Sequence, residues 1–196
     1  TLKKVFQGFL FGGVAIIGML DPFVLSPGVV FDGRSVVLSL ASFFFGAATM
    51  AISSTIAILY RMVQGGTGAL SGSLVIVSSS LIGLAYGRFV RNKKRNPRVK
   101  DLLIMSILVH SAMIFLMLTL PKGISSETIK KIILPVMLVY PSAAVLIGKI
   151  FIDSEKNMQM LKDLKKSEFT LQKIFDLLPI GLWFADKEGK LLKINS

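Results

Sequence analysis

The sequence predicts an all-α membrane protein: a compact bundle of six, alternatively five, transmembrane helices followed by a cytoplasmic connecting helix. Three observations predict it. The 196 residues are 53% hydrophobic and only 17% charged, with mean hydropathy +0.69, where a soluble domain carries roughly 25% charge. The apolar residues come in several long blocks, which neither one anchor nor one cleaved signal peptide explains. The net charge of +12 is clustered beside those blocks: seven of the 23 Lys and Arg lie between Arg88 and Lys100 with no acid among them, and many others follow Lys149. That distribution fits the positive-inside rule and anionic lipid headgroups, and argues against nucleic acid as a partner. With no cysteine there is no disulfide, iron–sulfur cluster or thiolate zinc site. A single His and few acids argue against a metal centre, and no cofactor is expected. Thr1 in place of an initiator Met and the stop at Asn195-Ser196 predict a fragment of a longer chain.

Lys3-Lys4 precede a span from Val5 to about Leu20, in which Gly8 and Gly12, followed by Ala15, form a small-residue face suited to close helix packing in lipid. Asp21-Pro22 and Ser26-Pro27-Gly28 mark a polar break and a turn, closed by Asp32-Gly33-Arg34. The block from Ser35 to Tyr60 is too long for one straight span, at about 39 Å against a hydrocarbon core of about 30 Å, and too short for two full ones. The expected break is Phe45-Gly46-Ala47-Ala48, giving a hairpin of two short helices buried in protein. A glycine-rich loop, Gly65-Gly66-Thr67-Gly68, leads into a span from Ala69 to about Tyr86, with Gly83 and Gly87 again four apart. After the basic loop 88–100, the span from Asp101 to Leu120 carries the single histidine, His110. Pro121-Lys122-Gly123 breaks it, and Ser125-Ser126-Glu127 reads as the N-cap of a last span, from about Ile129 to Phe151, with a kink expected at Pro135 and Pro141.

Charge sets the orientation. With six passes, Lys3-Lys4, the 88–100 loop and the segment after Lys149 all fall inside, so both termini are cytoplasmic and the cell-membrane protein is multi-pass. Loops 21–34, 61–69 and 121–128 then share the outer face. With five, the N-terminus lies outside. Beyond the membrane, Leu161, Leu164, Glu168, Leu171, Phe175 and Leu178 repeat at spacings of 3, 4, 3, 4 and 3. That is the seam of a dimerising helix. Leu178-Pro179 ends it, and Gly181–Gly189 reads as a strand and an acidic turn before a second strand at Leu191–Ile194. The domains are therefore a transmembrane bundle (1–152), an amphipathic, coiled-coil signalling helix (153–178), and the start of a truncated soluble domain (179–196).

Charges at the edges of apolar spans mark a candidate site. Arg34 and Arg61 end up at one mouth if the hairpin forms, where two guanidinium groups can hold an anion bidentately; the alternative is that both snorkel to headgroups. Asp32 either orients Arg34 or caps the helix that follows it. Gly65, Gly66 and Gly68 can offer backbone N–H groups to an anion, or simply make the turn. Gln64 and Tyr60 join the site by proximity to Arg61. His110 either senses protons or ligand, or makes an interhelical hydrogen bond near Ser106. The segment contains no catalytic residues.

Leu20-Asp-Pro-Phe23, Pro27-Gly-Val-Val-Phe-Asp-Gly-Arg34, Phe45-Gly46, Tyr60-Arg61, Gly65-Gly-Thr-Gly68 and Leu81-Ile-Gly83 resemble the LytS–YhcK-type multi-transmembrane sensor domain (5TMR-LYT) over roughly residues 5–152. The same layout is similar to the substrate-binding subunits of energy-coupling-factor vitamin transporters, six-helix bundles, and implies the hairpin independently of charge. Leu171–Asn195, with Ile174-Phe-Asp-Leu-Leu-Pro179 and Asp186-Lys-Glu-Gly189, resembles the opening of a PAS domain. The resemblance implies the input domain of a bacterial signal-transduction protein. The full-length chain would be a sensor histidine kinase acting on a response regulator, alternatively a diguanylate cyclase sensor; a transporter-like solute-binding subunit is a further alternative. It implies a homodimer and a small anionic ligand, a carboxylate such as pyruvate, at Arg34 and Arg61. Many relatives carry a cysteine shortly after the glycine-rich loop; this chain has none.

Overall fold

The structure, a computed structural model, describes residues 2–26, 29–117, 122–177 and 183–194. Among these are six α-helices: α1 (Leu2–Leu20), α2 (Arg34–Phe45), α3 (Ala47–Gln64), α4 (Ala69–Asn92), α5 (Val99–Leu116) and α6 (Lys122–Leu177). Two antiparallel hairpins join them, β1 (Phe23–Ser26) with β2 (Val29–Phe31) and β3 (Trp183–Ala185) with β4 (Leu191–Ile194). The chain divides into two compact units, Thr1–Ile150 and Phe151–Ser196.

The first unit is an all-α membrane bundle, with the surface and interior of a soluble protein exchanged. Phe6, Phe9, Ile17, Leu81, Ile104 and Phe115 stand exposed, while Ser39, Ser42, Ser53, Ser79, Ser106 and His110 are buried. Apolar side chains outward and hydroxyls inward suit a lipid solvent. Among the described residues, α1, α4, α5 and the stretch of α6 from Ile133 are long and apolar enough to cross a membrane. Helix α2, at 12 residues, is not.

Two short helices fill the middle of the bundle because of Gly46. Its φ of 85° and ψ of −164° end α2 and start α3, its N–H donating to the Ser42 carbonyl and its own carbonyl accepting from Met50. An added Cβ at Gly46 would meet nothing within 4 Å, so backbone conformation rather than space demands glycine there. The expected hairpin is thus formed. The glycine faces pack as their spacing implies: Gly8 and Gly12 of α1 lie against Ile52 and Ile56 of α3, and Gly83 and Gly87 of α4 lie against the Ser39 and Phe43 carbonyls of α2. A side chain at Gly83 or Gly87 would push two backbones apart.

The structure departs from the sequence reading in two places. Loop 21–34 contains the β1–β2 hairpin, pairing Phe23 with Phe31 and Val24 with Val30, as β-branched and aromatic residues on both sides of a turn favour. Helix α6 starts at Lys122, so Ser125-Ser126-Glu127 lies inside it rather than at its N-cap; it contains Pro135 and Pro141 and runs on to Leu177. The Pro27-Gly28 turn, the Pro121 break, Leu178-Pro179 with Gly181, and Asn195-Ser196 lie outside the described residues. In the second unit, β3 and β4 flank an Asp186–Gly189 turn in which the Asp186 carboxylate accepts from the N–H groups of Glu188 and Lys190, at 3.1 and 2.8 Å. Strand, acidic turn and strand stand where the sequence pattern puts them.

Candidate functional site

The site is built from the two ends of the α2–α3 hairpin. At the start of α2, the Asp32 carboxylate accepts from the Arg34 backbone N–H at 2.9 Å and from Arg34 Nη1 at 2.8 Å. The N-cap position of α2 is Gly33, not Asp32; from one residue earlier Asp32 takes the first N–H of the helix and, by taking the guanidinium as well, fixes the Arg34 side chain. Both side chains are buried, at 2% and 7% exposure. At the other end, Arg61 occupies the last turn of α3 and donates Nη1 to the Gly65 carbonyl at 2.9 Å. Gly65 presents that carbonyl because its φ of 65° and ψ of −152° turn the chain back on itself.

The arginines meet over Gly72 of α4. A Cβ there would stand 2.7 Å from Arg61 Nε and 3.0 Å from Arg34 Nη2, so the two guanidinium groups cover one patch of one helix, a few ångströms apart. Arg61 is 2% exposed and Arg34 6%. Two cations and the positive end of the α2 dipole therefore share a buried site with the Asp32 carboxylate. Burial pushes the Asp32 carboxyl up, against the opposing pull of Arg34 and Arg61. Like charges at this separation repel, and an anion between them relieves that repulsion. Snorkelling does not describe these side chains, which point into protein.

The remaining sequence candidates divide. His110 is fully buried and its ring nitrogens pair with Ser35 Oγ at 3.3 Å and with the Ser106 hydroxyl and carbonyl at 3.2 and 2.7 Å. Since Ser35 follows Arg34, the histidine sits one residue behind the arginine site as an interhelical contact. Gln64 donates to the Met19 carbonyl at 2.8 Å, tying the end of α3 to the end of α1. Gly65 commits its N–H to the Met62 carbonyl. Gly66 has φ 85° and accepts from Ala69 N–H, making the turn into α4. Tyr60 packs with the core of Ala15, Met19, Leu38, Ala57 and Ile76.

Two site residues escaped the sequence reading. Gly72 offered only the Ser71-Gly72-Ser73 run of small residues as a signal. Tyr140 of α6 stacks on His110, with ring centroids 5.2 Å apart, and interacts electrostatically with Asp32 and Arg34. A hydroxyl-bearing aromatic just before a helix proline was its available signal.

Apolar-surfaced helices around a buried ionic site define a multi-pass membrane domain. The family model described as 5TMR of 5TMR-LYT matches residues 1–154, and the chain belongs to that family, a multi-transmembrane sensor domain of signalling proteins. No curated protein and no solved structure matches the chain.

Proposed function

We propose that this chain is the input half of a bacterial signalling protein and that its ligand is a small anionic metabolite, a carboxylate such as pyruvate, held between Arg34 and Arg61. The observation that supports this most directly is the pair of buried guanidinium groups sharing Gly72, with the Asp32 carboxylate on Arg34. Arg34 and Arg61 bind the anion, Asp32 orients Arg34, and Gly65 holds Arg61 through its carbonyl. Gln64 and Gly66 shape the mouth, and His110 braces it from behind. The mouth faces outward and both termini are cytoplasmic, in keeping with the basic clusters at Lys3-Lys4, Arg88–Lys100 and after Lys149.

Residues 1–152 form the sensor, 153–178 a dimerising signalling helix, and 179–196 the opening of a PAS domain. The output is a histidine kinase with its response regulator, alternatively a diguanylate cyclase. The continuation of α6 to Leu177, followed by a hairpin, favours a sensor over a transporter-like binding subunit, to which such an extension adds nothing. Coupling requires that the anion bind two states of the bundle with different affinity.

The experiment is binding of a panel of small acids (acetate, pyruvate, succinate, citrate) to purified protein in nanodiscs. Wild type is expected to bind at least one saturably, and Arg34→Ala and Arg61→Ala to lose that binding. Absence of saturable binding by wild type, or equal affinity in all three proteins, refutes the site.

A further inference from the structure

Among its described side chains, helix α6 meets the bundle along a stripe spaced by four: Val136 and Ala144 are buried, Tyr140 is half-buried, and Gly148 packs against Leu102 and Leu40. Three of the four are aliphatic or glycine and can report only shape. Tyr140 is the polar member, and it stands at the arginine site. Its ring lies on His110, whose nitrogen meets Ser35 beside Arg34, and it also packs against the cluster of Val75, Met113, Met117 and Val136. Val75 lies one turn from Gly72 on α4.

The backbone beside Tyr140 is weakened. Pro141 has no N–H, so the Met137 carbonyl loses its helical partner. The next residue, Ser142, donates its hydroxyl back to the Leu138 carbonyl at 2.7 Å, a pattern that bends helices. A polar contact thus precedes by one residue the point at which α6 yields most easily.

We propose that Tyr140 is the residue through which α6 responds to occupancy of the Arg34–Arg61 site. The Tyr140 ring lies on His110, which reaches Ser35 beside Arg34, and its phenol is within electrostatic reach of the Asp32–Arg34 pair. A carboxylate drawing Arg34 toward itself changes the charge that the phenol meets, and α6 re-seats about Pro141. Tyr140 is a positioning residue in this scheme. The inference rests on the anion-binding reading above, and its test separates the two.

The chain has no cysteine, so cysteines introduced at Leu81 of α4 and Leu146 of α6, both exposed, take spin labels uniquely. In nanodiscs, saturating pyruvate is expected to shift the 81–146 distance by about 1–2 Å or more. Tyr140→Phe keeps the ring on His110 and is expected to weaken pyruvate binding by no more than about tenfold, yet to abolish the shift at saturation. A shift in Tyr140→Phe equal to that of wild type overturns the inference. A ligand-free arm decides the matter even if wild type binds no acid, an outcome that overturns the anion reading instead. Arg34→Gln is expected to alter the 81–146 distance with Tyr140 present and to leave it unchanged in the Tyr140→Phe background. An equal response to Arg34→Gln in both backgrounds overturns the role of Tyr140.

Discussion

Two Arg–Asp pairs among the described residues of the first unit differ in almost everything except chemistry. Arg95 and Asp101 meet bidentately at 2.5 and 2.6 Å where the basic loop enters α5, and Asp101 also accepts the Arg98 N–H at 2.8 Å. The Arg95 side chain is 28% exposed, and its hydrogen bonds to Asp101 hold its guanidinium above the usual arginine range. That pair is electrically closed: one cation saturates one anion, and the anion caps a helix. The Arg34–Asp32 pair is more deeply buried, uses one guanidinium nitrogen, and has a second arginine facing it over Gly72. It is part of a cluster of at least three charges rather than a self-contained pair. Position in the sequence does not separate the two pairs, since each has its aspartate next to a helix start. What separates them is the third charge brought by the hairpin.

The sharpest way to break this comparison is to remove one arginine from each. Arg34→Ala or Arg61→Ala is expected to weaken binding of a small carboxylate by about 100-fold or more, because it leaves a buried charge arrangement half dismantled. Arg95→Ala is expected to leave affinity within about twofold, an exposed pair having little reach. Calorimetric titration of the three variants checks both statements; loss of binding in Arg95→Ala would mean that the basic loop is part of the site. A milder change asks about geometry. Arg34→Lys keeps the charge and loses the fork, so affinity should fall about tenfold or more, whereas Arg95→Lys should lower Tm only slightly, with binding unaffected.

Most of this arrangement was legible because it is encoded locally. The break at Gly46 follows from one glycine in an apolar block of awkward length. The approach of Arg34 to Arg61 follows from that hairpin and the distribution of lysines and arginines. The glycine pairs announced which helix faces approach closely, though not that Gly83 and Gly87 would lie against the α2 backbone. Gly72 and Tyr140 were not legible, since each matters through partners tens of residues away: Gly72 through guanidinium groups from α2 and α3, Tyr140 through a histidine on α5. The start of α6 was misread because Ser125-Ser126-Glu127 imitates a cap, and continued helix satisfies the same backbone groups without it. The β1–β2 hairpin was missed because its turn signal was read and the apolar residues flanking the turn were not.

The smallest expected effects lie with the two aspartates, and their signs differ. In Asp101→Asn the amide keeps one acceptor for the cap but cannot saturate Arg95, so stability falls by about 1 kcal/mol and carboxylate affinity does not change. In Asp32→Asn the amide oxygen can still accept the Arg34 N–H, while the negative charge competing for Arg34 is gone. Affinity for a carboxylate is therefore expected to rise severalfold. The pH dependence tests the same point without mutation. Burial raises the Asp32 carboxyl against the pull of the arginines, so on acidification it takes up its proton earlier than an exposed aspartate does. The protonated acid no longer competes with the ligand, and wild-type affinity should rise as pH is lowered through that range, until the ligand itself protonates. The Asp32→Asn variant lacks that titration and should bind with the higher affinity throughout. If instead Asp32→Asn binds more weakly than wild type at every pH, orientation of Arg34 outweighs charge competition, and the Arg34 site depends on its carboxylate as much as the Arg95–Asp101 pair does.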